Sequence, residues 1–150
     1  MLFRTHVLFG VFVWFVLGRF VEMPFFVLFF VLLGSVFVDV DSCSSRVGRK
    51  VWFLSWWFRH RGFFHSLVGA LFFSTLIGLI SLWGGFGFFV GYLSHLFLDG
   101  WTRMGLKMFW PFGFRIRGFV KSGSWVEDVL FVLFLGLDVW LVLNSLFWMI

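Results

Sequence analysis

The 150-residue chain is 61% hydrophobic and 25% aromatic, with 27 Phe and 10 Trp against 13% charged residues. Soluble domains are about 45–50% apolar, so this composition excludes a soluble globule and points to one integral membrane domain over residues 1–150. The net charge of +5 is assigned to orienting basic loops, no nucleic-acid partner is expected, and the single Cys43 excludes an intramolecular disulfide.

The first apolar stretch runs from His6 to about Val21, with Arg19 able to snorkel near its far end. Arg4 precedes it, but no small-residue cleavage site follows, so an uncleaved membrane helix is expected. Pro24 opens a second stretch that ends at Val38. The polar, basic loop from Asp39 to Lys50 follows. Val51 to Phe58 is apolar but too short to span, and its Trp52, Trp56 and Trp57 suit an interfacial segment. The third span is expected over Phe63–Trp83, since about 20 residues cross a bilayer. Gly84, Gly85 and Gly87 then read as a tight turn. The fourth runs from Phe86 to Leu98, a Gly- and Pro-punctuated basic loop covers Asp99 to Ser124, and the last span is Val129 to Ile150. The predicted fold is an all-α, multi-pass bundle of about five transmembrane helices.

With the N-terminus cytoplasmic, Arg4, the basic residues between Arg46 and Arg61, and those between Arg103 and Lys121 all fall inside. Only Arg19 falls outside, as the positive-inside rule requires. The same folding brings every histidine to inner membrane rims, together with Asp39, Asp41, Asp99, Glu127 and Asp128. Charge near lipid is costly without a partner or a function.

His95 and Asp99 are four apart, so on a helix they share a face one turn apart. A shared cation and a plain His–Asp hydrogen bond both fit that spacing. Asp39 and Asp41 diverge on a helix but point the same way in an extended segment, where two carboxylates repel unless a cation or arginine intervenes. In His60-Arg61-Gly62, Gly62 permits a turn that swings His60 and His65 together, Arg61 offers a donor fork to a phosphate or carboxylate, and Ser66 can cap or polarise. Taken together, mixed His and carboxylate ligands suit zinc, manganese or iron rather than calcium. Asp138, mid-span in the last helix, is expected to pair with a polar group of a neighbouring helix.

These residues resemble the YdjM-like family of inner-membrane metal-dependent hydrolases, sometimes called LexA-regulated. The resemblance rests on His6, on Asp39-Val40-Asp41, and on His60-Arg61-Gly62-Phe63-Phe64-His65-Ser66. It continues through Gly91-Tyr92-Leu93-Ser94-His95 to Asp99, Thr102, Gly105, Trp110 and Pro111. Two positions depart from the family pattern: Ser42 where a His usually follows the second Asp, and Phe64 where a Thr usually precedes the second His. The resemblance implies a multispanning helical protein, a membrane location and metal-dependent hydrolysis. The ligand types also look similar to those of zinc-dependent phospholipase C, a looser analogy that hints at phosphoesters.

The expected function is metal-dependent hydrolysis at the cytoplasmic face of the cell membrane, on a phosphoester of a lipid or lipid-linked substrate. The expected ligands of a zinc or manganese ion are His6, Asp39, Asp41, His65, His95 and Asp99. Water activated by the ion is the expected nucleophile, Arg61 the holder of substrate charge, and His60 or Glu127 the acid/base. Two other classes compete. A metal-ion or proton transporter would route its cargo past acids such as Asp138, and a structural membrane protein would use its polar cluster only to bind headgroups.

Overall fold

The computed structural model describes residues 1–41 and 62–147. Among these residues the chain forms five α-helices: α1 (Phe3–Gly18), α2 (Val27–Phe37), α3 (Leu67–Gly78), α4 (Leu82–Gly100) and α5 (Trp125–Phe147). Short 3-10 turns at Val38–Asp41 and Phe63–His65 close α2 and lead into α3.

Where nearly every residue is apolar, periodicity marks no helix end, and serine caps set two of the helix starts. The Ser66 hydroxyl accepts from the Gly69 N–H at 3.2 Å and starts α3. Ser81 accepts from the Gly84 N–H at 3.1 Å and starts α4. The continuous third span expected over Phe63–Trp83 is therefore two elements, broken at residues 79–81. Gly84, Gly85 and Gly87 do not form the expected turn but lie inside α4, where the missing side chains allow close packing. A Cβ on Gly85 would sit 2.6 Å from the Gly78 Cα, and one on Gly87 2.8 Å from a Val27 methyl. Asp39 and Asp41 are not extended either; they belong to the 3-10 turn. The last helix begins at Trp125, four residues earlier than expected, with Glu127 and Asp128 in its first turn complementing the helix dipole.

Among the described residues no helix is both long and apolar enough to cross a membrane. α1, α2 and α3 have 16, 11 and 12 residues, or about 24, 17 and 18 Å at about 1.5 Å per residue, against a hydrocarbon core of about 30 Å. The interfacial segment expected at Val51 to Phe58 lies outside the described residues.

The core gathers Val38, Ala70, Phe88, Tyr92, Leu96 and Leu106, with Phe37 edge-on to Phe73 and Phe88. α2 and α4 are the most intimately packed pair. Large apolar side chains also cover the outside: Leu71, Phe72 and Leu76 on α3, and Val132, Leu133, Val139, Trp140 and Leu143 on α5. α1 and α5 run parallel, since Thr5 meets Glu127, Arg4 meets Asp128 and Phe12 meets Phe134. One end of the bundle therefore collects the starts of α1, α3 and α5 and the ends of α2 and α4.

Candidate metal centre

That shared end holds the polar cluster. His6 lies in the first turns of α1, Asp39 in the 3-10 turn after α2, and His65 in the 3-10 turn before α3. His95 and Asp99 lie one turn apart near the end of α4. All three histidines and Asp99 are buried, and Asp39 is partly so. The chain brings together residues that are up to 93 positions apart in sequence, from His6 to Asp99.

The distances are short and similar. His65 Nε2 is 3.9 Å from Asp39 Oδ1 and 3.7 Å from Asp99 Oδ2. His95 Nε2 is 3.9 Å from Asp39 Oδ1 and 3.8 Å from Asp99 Oδ2. His6 Nε2 approaches the other Asp99 oxygen at 3.5 Å, and its ring stacks on His95 with centroids 3.8 Å apart. The Met1 amino group also lies 2.8 Å from Asp99 Oδ1. Burial pushes the Asp39 carboxyl above its ordinary range, against the pull of His6 and His65.

His95 is aimed from behind. Its Nδ1 donates to the Ser35 carbonyl oxygen at 2.7 Å, because a carbonyl can only accept. This leaves the Nε2 lone pair facing the cluster, the arrangement that orients most metal-binding histidines. His95 Nε2 has no hydrogen-bond partner among the described residues although it is fully buried, a costly state unless something binds it.

The donor set fits a small divalent ion. A tetrahedral ion with bonds of about 2.1 Å has ligand atoms about 3.4 Å apart, so the four N···O separations need only contract by a few tenths of an ångström. Among the described residues two trios satisfy mutual approach within 4.8 Å, His6/His95/Asp99 and Asp39/His65/His95. Both use His95, whose Nδ1 is committed to Ser35.

The remaining expected site residues fall elsewhere. Glu127 is buried, but its carboxylate accepts from the Leu2 N–H, from the Thr5 hydroxyl at 3.2 Å and from the Gly123 N–H at 2.6 Å. Those three bonds tie the start of α1 to the start of α5, a structural role beside the expected acid/base one. Glu127→Ala leaves three donors without their acceptor and is expected to cost about 1–3 kcal/mol. Thermal melting should register that loss while metal content stays at the wild-type value. Asp41 ends the 3-10 turn, and only its backbone is described. His60, Arg61 and Ser42 lie outside the described residues. Phe64 points away from any ligand role: its ring packs near Phe37 and Phe73, and its carbonyl accepts from the Tyr92 hydroxyl. Asp138 is buried, and neither carboxylate oxygen finds a hydrogen-bond partner among the described residues, so the expected interhelical pairing is absent there.

Two supporting residues carried little sequence signal. Ser35 acts through a backbone carbonyl, which any residue possesses. Tyr92 fixes the backbone next to His65 through the Phe64 carbonyl; its place in the Gly91-Tyr92-Leu93-Ser94-His95 motif marked the position but not this role.

The family model described as YdjM inner membrane protein matches residues 1–149. Uncharacterized protein YvsG of Bacillus subtilis (strain 168) is 35% identical over 105 residues, covering 65% of this chain and 66% of that protein. Inner membrane protein YdjM of Escherichia coli (strain K12) is 31% identical over 97 residues, 57% of this chain and 50% of that protein. The Shigella flexneri protein of the same name gives the same figures. The chain thus spans about half to two thirds of the length of these relatives. No solved structure matches it.

Proposed function

This chain belongs to the YdjM inner membrane protein family, and on that premise we propose that it is a multi-pass membrane protein holding one divalent ion for hydrolysis. The carrying observation is that His65 Nε2 and His95 Nε2 each approach a carboxylate oxygen of both Asp39 and Asp99 at 3.7–3.9 Å, from three separate stretches of chain, with His95 aimed there by Ser35. In this reading those four residues hold zinc or manganese. His6 braces Asp99 from outside through Nε2, at 3.5 Å from its Oδ1.

A bound ion would supply Lewis acidity and make water a better nucleophile near neutral pH. The protein's own residues do the rest. Burial of the histidines excludes bulk water, Ser35 fixes one imidazole tautomer, and Asp99 braces the site against α1. Arg61 and His60 keep the expected roles of anion holder and acid/base. The substrate class proposed is a phosphoester of a lipid or lipid-linked molecule, supported by the location of the site at one end of a bundle with an apolar exterior.

Membrane placement draws on the relatives named as inner membrane proteins and on the exposed apolar side chains of α3 and α5. The cytoplasmic assignment of the site end rests on Arg4, Arg103, Lys107, Arg115, Arg117 and Lys121 at that end, with Arg19 at the other.

Elemental analysis tests the centre. Detergent-purified wild type is expected to carry close to one zinc or manganese per chain, and a His65→Ala, His95→Ala, Asp99→Ala triple variant none. Absence of metal from wild type, even after reconstitution with both ions, would remove the hydrolase reading and favour a headgroup-binding or structural protein.

A further inference from the structure

Residues 101–124, which join α4 to α5, contain Arg103, Lys107, Arg115, Arg117 and Lys121 and no acidic residue. All five cations are exposed. Between them Phe112, Phe114 and Phe119 are 74%, 67% and 72% exposed. Large aromatic rings this open to solvent are unfavourable in water.

The segment is nevertheless well braced. Leu106 and Ile116 exchange backbone hydrogen bonds at 2.9 and 3.0 Å, and the Arg103 N–H reaches the Val120 carbonyl at 2.9 Å. Leu106 is buried in the core, and the Leu67 N–H donates to the Met108 carbonyl at 2.9 Å. The Thr102 hydroxyl donates to the Asp99 carbonyl at 2.7 Å, tying the segment to the helix end that carries the metal-centre aspartate. An ordered backbone thus presents cations and apolar rings together, beside the site.

We propose that residues 101–124 form an anionic-phospholipid-binding foot. Its guanidinium and ammonium groups take headgroup phosphates, while Phe112, Phe114 and Phe119 enter the boundary with the acyl chains. Interfacial segments combine these two elements, cations for anionic headgroups and aromatics for the acyl boundary. Single-stranded RNA also binds mixed cations and rings. Lipid is favoured because the adjoining helices expose apolar side chains, with Trp125, at the junction with α5, 75% exposed. The proposal rests on the membrane placement above and not on the metal centre.

The test uses the full chain in zwitterionic detergent micelles. Short-chain phosphatidylglycerol and phosphatidylcholine are titrated separately, with binding read by native mass spectrometry. Wild type should bind phosphatidylglycerol about tenfold more tightly. Arg115→Gln/Arg117→Gln/Lys121→Gln should lose that preference while keeping wild-type metal content, and Arg115→Lys/Arg117→Lys should retain it. Equal binding of both lipids by wild type, or an unchanged preference in the glutamine variant, would overturn the proposal. So would displacement of phosphatidylglycerol by inorganic phosphate, which would make the patch a free-anion site, or by a ten-nucleotide single-stranded RNA. Carbonate-resistant residence of wild type in the membrane fraction separates failure of the foot from failure of the membrane placement.

Discussion

Asp99→Ala is expected to lower metal affinity by well over 100-fold while Asp138→Ala leaves it unchanged. Loss of outer partners of a metal site costs about 10–100-fold, and Asp99 is more central than that. Its Oδ2 lies 3.7 Å from His65 and 3.8 Å from His95, and its Oδ1 faces His6 at 3.5 Å. Removal leaves three imidazoles with only one described carboxylate, Asp39, to offset the ion's charge. The fold should survive, since the contacts that end α4 use backbone: the Thr102 hydroxyl and the Trp101 and Thr102 N–H groups bond carbonyls of residues 98 and 99. Asp99→Asn preserves shape and lets a folding defect be told apart from a ligand defect. Asp138 sits in α5, which packs chiefly against α1, and it belongs to neither metal-competent trio. Elemental analysis after dialysis, beside a thermal melt, reads both variants. Metal retained by the Asp99 variants but lost from Asp138→Ala would move the site to α5 and revive the transporter reading.

The polar positions of this site were legible because they contrast with their surroundings. His6, Asp39, His65, His95 and Asp99 interrupt long apolar runs, and folding those runs back and forth is enough to bring the interruptions to one end. The helix boundaries were less legible. In a chain that is 61% hydrophobic, apolar residues recur at every spacing, so the ends of α3 and α4 depend on Ser66 and Ser81. A serine in an apolar run is a weak signal, and the sequence supports an unbroken Phe63–Trp83 span equally well. Glycine was ambiguous for a related reason: Gly85 and Gly87 permit a turn or a close helix contact, and only the partner helix decides. Glu127 illustrates the converse. A carboxylate at a membrane rim reads as reactive, and nothing in the sequence shows that its oxygens also hold Leu2, Thr5 and Gly123.

Gly91→Ala is expected to destabilise the protein by about 1–3 kcal/mol, the usual cost of forcing extra volume into a packed contact, and to weaken metal retention with it. α2 and α4 touch through glycines on both sides. A Cβ on Gly91 would overlap the Val31 carbonyl, and one on Gly34 would overlap the Phe88 carbonyl. Small residues at such crossings let helix backbones approach, which is how helices associate where apolar burial gives little drive. The crossing also carries the metal centre. Gly91 lies one turn before His95, and Gly34 adjoins Ser35, whose carbonyl holds His95 Nδ1 at 2.7 Å. A methyl group that pushes α2 from α4 lengthens that bond and frees the imidazole to turn. Gly136→Ala is the matched control, because a Cβ there meets nothing within 4 Å; it should melt at or slightly above the wild-type temperature, as glycine in a helix costs roughly 0.5–1 kcal/mol relative to alanine. If Gly91→Ala melts with Gly136→Ala and keeps its metal, the close α2–α4 contact is not what aims His95. If both losses appear only at Gly91, packing in the bundle and readiness of the centre depend on the same missing side chain.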